Sequence, residues 1–144
     1  MGIDIPKEAS TECMVLKTRQ AARAITRRYN RLLRPYGLHC TQVSLLYAVA
    51  ANRYKSVSDM AEQLAIERSS LTRNLKLLRT RGYIKADQVG QGRPQSFELT
   101  REGEDLLTTL IPKWKEAQAG LREEFGDREW DKVQASLSLV GAVR

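Results

Sequence analysis

The sequence predicts a mainly α protein with one small β element, an α+β chain. Three observations lead there. Apolar residues recur at helical 3.6-residue spacing through most of the chain. Strand-like patterning of more than two residues is limited to two short segments, 83–88 and 95–99, on either side of a loop containing glycine and proline. A length of 144 residues, with 42% hydrophobic and 28% charged side chains, suits one folded domain, residues 1–144, rather than two.

Residues 1–10 carry no period and are expected to form a loose arm. From Thr11 to Leu33 the stripe Val15, Ala22, Ile25, Tyr29, Leu32 and Leu33 reads as a helix, with Arg19, Arg23, Arg27, Arg31 and Arg34 on its opposite face. Pro35 and Gly37 end it. A second helix, about Thr41 to Ala51, has Val43, Leu45, Leu46, Ala48 and Val49 on several sides and is expected to be buried on more than one face. After the polar turn 52–55, Ser56-Val57 reads as one short strand and Ser58 as the cap of a short helix, Asp59 to Leu64. Ala65 to Arg68 make a tight connection. The next helix, about Glu67 to Arg81, buries Leu71, Leu75 and Leu78 and stops at Gly82, since glycine takes the left-handed conformation at no steric cost. The two strands follow, joined by the loop 89–94. Thr100 then caps a long helix whose Glu102 and Glu104 suit its positive end and whose Pro112 should bend it. A last helix runs from about Asp127 to Val143.

Two cysteines, Cys13 and Cys40, are too few for a disulfide scaffold, and with the single histidine, His39, they cannot supply a zinc site. No metal, cofactor or catalytic chemistry is therefore expected. No stretch approaches the roughly 18 apolar residues of a membrane span, and no basic-then-apolar leader opens the chain. Met1-Gly2 begins like a myristoylation site, but Pro6 stands where Ser or Thr is needed. A cytoplasmic location, with reduced thiols, is the expectation. Charge narrows the partner. The chain has a net charge of +7, unevenly spread: residues 1–100 hold 17 basic and 8 acidic side chains, a net +9, whereas residues 101–144 hold 7 and 9, a net −2. A basic body joined to a slightly acidic C-terminal segment points to a polyanion-binding surface attached to a part with another task.

Short helix, tight turn, second helix, glycine, strand, basic loop, strand: this order, from Ser58 to Leu99, is that of a winged helix-turn-helix. Opposite its leucines, the 67–81 helix carries Ser69, Ser70, Arg73, Lys76 and Thr80, with Thr72 beside them. Arginine can pair with guanine O6 and N7 in the major groove, and hydroxyls can bond bases or phosphates. From Arg68 to Lys85 there are six basic residues and no acid, where a merely solvated helix would mix signs at i,i+4.

The segments SDMAEQLAIERSSLTRNLKLLRTRGYI (58–84) and GRPQSFELTREGEDLL (92–107), with AARAITRRYNRLLRPYGLHCTQVSLL (21–46), resemble the MarR (multiple-antibiotic-resistance regulator) family of transcription factors. The carrying pattern is Ser-Leu-Thr-Arg-x-Leu-x-x-Leu-x-x-x-Gly at 70–82, then Leu-Thr-x-x-Gly at 99–103. The resemblance implies a homodimer interlaced through residues 11–34 and 104–143, with the lobe 41–100 of each chain reading half of a palindromic operator in double-stranded DNA. It also implies that Arg93, seven residues before Thr100, enters the minor groove from the wing. The family's bracing acid two residues earlier is replaced by Gln91, flanked by Gly90 and Gly92. A small aromatic-acid effector is implied between dimer and DNA lobes, where Tyr29, His39, Gln42 and Tyr47 are candidate contacts, in company with Tyr36. The implied activity is transcriptional regulation, most often repression, by a protein found with the nucleoid when DNA-bound.

The residues leave two other readings open. Some members of the family sense hydroperoxides through a cysteine on the first helix, which the resemblance places at Val15. Cys13 is two residues earlier, a rotation of about 200° on a helix, so a redox switch through Cys13 is the weaker reading, even though a helix start lowers a thiol's pKa. Cys40 reads as a packing residue. A non-specific DNA-coating protein would not need Ser69, Ser70 and Arg73 on the groove-facing side, nor an acidic C-terminal third.

Overall fold

In the computed structural model, which describes residues 2–87 and 96–143, the helix expected from Thr11 begins later. A single turn, α1 (Glu8–Thr11), forms within and just beyond the segment read as a loose arm. Cys13 is extended at φ −61° and ψ 117°, and the 20-residue helix α2 (Met14–Leu33) starts after it. Pro35 tightens the exit into a 3-10 turn, Arg34–Tyr36, and Gly37 reverses the chain at φ 64°.

Helix α3 (Cys40–Ala51) is the centre of the fold. It buries residues on several sides, with Leu45 and Leu46 fully inaccessible. Helix α5 (Arg68–Thr80) packs on it and α4 (Val57–Gln63) packs on α5, followed by an antiparallel pair of strands, β1 (Ile84–Asp87) and β2 (Ser96–Leu99), with Ile84 opposite Leu99 and Lys85 opposite Glu98. Ser56-Val57 is not a strand, and Ser58 is not the cap. Ser56 Oγ accepts the Asp59 N–H at 3.1 Å while the Asp59 carboxylate accepts the Lys55 N–H at 2.7 Å, so two free donors at the helix start are satisfied together. Val57, the first residue of α4, packs against the core. Leu71, Leu75 and Leu78 face inward as expected, joined by Met60, Ile84, Phe97, Leu107 and Leu110. Tyr54 pins β2 to this core, because its hydroxyl accepts the Phe97 N–H at 3.2 Å and donates to the Phe97 carbonyl at 3.3 Å.

The Leu-Thr-x-x-Gly pattern has a mechanical reason. Thr100 caps α6 (Arg101–Phe125) by accepting the Gly103 N–H at 3.1 Å, and its hydroxyl donates back to the Gly82 carbonyl. At Gly103 a Cβ would lie 2.1 Å from the Tyr83 carbonyl oxygen, so only glycine lets α6 start this close to the strand entry. Helix α6 continues through Pro112, an exposed position where the Thr108 carbonyl deprived of its partner can meet water.

The last helix, α7 (Asp127–Gly141), buries none of its residues, and α2 buries only Leu33. Apolar side chains of both ends face outward: Val15 is 63% exposed, Leu137 54% and Leu139 73%. One ion pair, Arg28 to Glu124 at 2.7 Å, ties α2 to α6. Among the described residues no helix is long and apolar enough to cross a membrane, and no cluster of three metal-ligating side chains occurs.

Candidate nucleic-acid interface

Helix α5 is held by its leucines and shows its other side to solvent. Arg68, Ser69, Thr72, Arg73, Lys76, Arg79 and Thr80 are all exposed. Its N-cap, Glu67, makes no side-chain bond to the first turn, and no acid follows within that turn. The free N–H groups and the positive helix end therefore face outward with the Arg68 and Arg73 cations, an arrangement suited to phosphate and base edges together. None of the described ion pairs involves α5. Its cations are thus uncommitted within the described chain. A surface recess of about 580 Å³ lies beside the helix, with Lys76, Arg79 and Thr80 on one side and Lys85, paired with Glu98 at 3.2 Å, on the other.

Individual side chains differ from one another in how free they are. The Thr72 hydroxyl donates to the Arg68 carbonyl at 2.9 Å, leaving only its acceptor lone pairs for a partner. Ser70 is half-buried, and its hydroxyl accepts a long bond, 3.4 Å, from Asn74. Arg81, counted above among the acid-free cations, turns away: its Nη1 donates to the Gly37 carbonyl at 2.7 Å, fastening the end of α5 to the α2–α3 turn. Arg93, with Gly90, Gln91 and Gly92, lies outside the described residues.

The four candidate effector contacts do not come together. Tyr29 and Tyr47 share a cavity of about 270 Å³ between α2, α3 and α6, with Thr26, Cys40, Ser44, Leu110 and Trp114 also on its wall. His39 is not there. It is an exposed residue at the start of α3, beside a groove carrying Arg27, Arg31 and Arg34. Gln42 is not there either: it is 3% exposed, and its amide is spent on the His39 N–H and on Asn74. The two departures have different causes. His39 precedes α3 on extended backbone, whereas Gln42, within α3, is turned about 140° from Tyr47 by helical geometry.

The two tyrosines of the cavity are unlike. Tyr29 donates to the Gln118 side-chain oxygen. The Tyr47 hydroxyl is inaccessible and has no hydrogen-bond partner among the described residues. Burial raises the pKa of both phenols, opposed at Tyr29 by the Arg28 charge. Burial likewise pushes the Cys40 thiol up, which keeps it protonated, and its Sγ is 3.5 Å from the Thr26 carbonyl. Cys13 is a free thiol, half-buried at the start of α2. Sequence reasoning passed over Gln118 and Asn74, because a lone polar residue on a helix gives no local sign of which remote element it will meet.

The profile of the MarR family matches residues 36–94. The transcriptional regulator MosR of M. tuberculosis, whose crystal structure was solved in complex with DNA, is 33% identical, with 90% of this chain and 94% of that one covered at a TM-score of 0.77. The helix-turn-helix transcriptional regulator YwoH of Bacillus subtilis is 26% identical over 116 residues, 81% of this chain and 85% of that protein. NadR, solved in complex with 4-hydroxyphenylacetate, shares the fold at 21% identity, full coverage of both chains and a TM-score of 0.73.

Proposed function

This chain belongs to the MarR family of DNA-binding transcriptional regulators, and we propose that it works as a homodimer on a palindromic operator, as a repressor that a small aromatic acid releases. The observation that carries the DNA reading is α5: an acid-free outer face of Ser69, Thr72, Arg73 and Lys76 on a helix anchored by three buried leucines. Arg73 would read a base edge, Lys76 would hold phosphate, and Ser69 and Ser70 would bond the groove edge or backbone near the helix start. The resemblance adds Arg93 in the minor groove.

The uncovered apolar faces of α2 and α7 support dimerisation, since a helix that buries nothing in its own chain gains its stability from another surface. Two lobes fixed by such an interface can meet successive major grooves only at one spacing. The cavity of Tyr29 and Tyr47 lies between α2, α6 and α3, the first helix of the proposed DNA lobe. A ligand that fits one arrangement of these helices better than the other changes that spacing by its difference in affinity. An aromatic ring suits the apolar wall, and a polar substituent could satisfy the Tyr47 hydroxyl. Such a regulator acts in the cytoplasm, with the DNA.

The test combines sedimentation with selection of binding sites from a random-sequence DNA pool. A dimer at micromolar concentration, an inverted repeat in the selected DNA, and release by millimolar 4-hydroxyphenylacetate are expected. A folded monomer that selects no repeat would refute the dimer; selected DNA that no aromatic acid releases would refute the effector alone.

A further inference from the structure

We propose that Asn74, held by Gln42, is a positioning residue that determines DNA specificity: the buried amide pair sets the rotation of α5 and hence where Ser69 and Arg73 meet base edges. Gln42 and Asn74, at 3% and 9% exposure, are the buried polar side chains of the described residues, inside a core that is otherwise apolar. Gln42 Oε1 accepts the His39 N–H at 3.2 Å, and Gln42 Nε2 donates to Asn74 Oδ1 at 3.4 Å. Asn74 Nδ2 in turn donates to the Ser70 carbonyl at 2.9 Å and reaches the Ser70 hydroxyl at 3.4 Å. Each of the four side-chain polar atoms therefore has a partner, and the chain of bonds runs from the start of α3 to the first turns of α5. Its near end is fixed in turn to α2, because Asn30 Oδ1 accepts the Cys40 N–H at 2.7 Å.

Leucine contacts cannot do the same work. Burial of Leu71, Leu75 and Leu78 holds α5 against α3, but apolar attraction has no direction, and several small rotations bury nearly the same area. A hydrogen bond weakens steeply with angle and distance, so the amide pair selects one rotation. The consequence at the DNA is amplified. A turn of about 20° moves a side-chain tip about 5–6 Å from the helix axis by about 2 Å, enough to break a paired arginine–guanine contact. Contacts to phosphate, made by flexible Lys76 or Arg68, tolerate that shift.

This inference rests on the sequence-specific reading of DNA proposed above. Its test uses the full-length protein, the fragment it selects from a random DNA pool, and a scrambled fragment of equal length at one salt concentration. Asn74→Leu removes the network within α5, and Gln42→Met removes the link between helices together with the His39 N–H bond, at nearly constant volume. Each is expected to bind scrambled DNA within about twofold of wild type while the selected-to-scrambled affinity ratio falls about tenfold. The double variant should lose no more than Asn74→Leu alone, because the two residues act through one bond. A ratio unchanged in the folded variants, or an equal loss on both fragments, overturns the proposal. If Asn74→Leu does not fold, Gln42→Met decides, and failure of both to fold assigns the pair to stability and overturns it too. A wild type that selects no sequence is a distinct outcome, removing the specific-reading premise and this inference with it.

Discussion

Two tyrosines in one cavity should answer the same substitution with opposite signs. The Tyr47 hydroxyl is inaccessible and unpaired among the described residues, whereas the Tyr29 hydroxyl donates to Gln118. Leaving a buried polar group without a partner costs about 1–3 kcal/mol, and removing that group takes the cost away while keeping the ring. Tyr47→Phe should thus raise stability by about 1 kcal/mol, or about 3 °C in Tm for a domain of this size. Tyr29→Phe breaks a made bond, worth about 0.5–1.5 kcal/mol, and should lower Tm by about 2–4 °C. Differential scanning calorimetry without ligand reads both. The same pair separates stability from response: if the Tyr47 hydroxyl meets an effector, Tyr47→Phe should bind DNA normally but resist release by 4-hydroxyphenylacetate. A lower Tm in Tyr47→Phe, or shifts of like sign in both variants, would refute the reasoning from the orphan hydroxyl.

Further outcomes are expected elsewhere. Arg73→Ala should cost about 1–3 kcal/mol on the selected DNA and relax preference at one base of each half-site, as site-selection and gel-shift measurements can show; equal loss on random DNA would reduce Arg73 to a phosphate contact. Gly103→Ala should be strongly destabilising by denaturant titration, because its methyl group would meet the backbone oxygen of Tyr83 at 2.1 Å rather than a side chain able to move. Asp59 is held below its ordinary 3.8, first by the Lys55 N–H and then by the Gln63 amide, so its contribution is present above that value and is lost as pH falls through the lower folded value. Asp59→Asn should therefore show a shallower fall in Tm than wild type between about pH 5 and pH 3, measured in parallel scans.

Local periodicity was enough for the long elements. The leucine stripe of α5, the Gly82 stop, the Thr100 cap and the order of the long helices and the two paired strands were legible, because each depends on residues a few positions apart. The short helix was misread where two local solutions compete. Ser56 and Ser58 can both cap, and the choice fell to Ser56 because Val57 then reaches the core and Asp59 reaches back to Lys55. The candidate effector residues divided by position: Tyr29 and Tyr47 meet because α2 crosses α3 there, while Gln42 faces about 140° away from Tyr47 on α3 and His39 precedes that helix on extended backbone.

By itself the sequence determined that this is a small helical protein with a basic face on one helix and a wing behind it, since amphipathic period, glycine and proline chemistry and net charge act locally or as sums. It also carried the family pattern, including the Leu-Thr-x-x-Gly whose glycine admits the Tyr83 carbonyl. Only the tertiary structure decided which cations stay free. Arg81 was drawn to the Gly37 carbonyl, across a separation of 44 residues, while Arg73 and Lys76 were left facing outward. It likewise decided that Gln42 and Asn74 would be buried together and that Tyr47 would be buried alone. A polar side chain far from any other in the chain has no preference for a partner until the packing of apolar neighbours excludes water and leaves it with whatever group lies within reach.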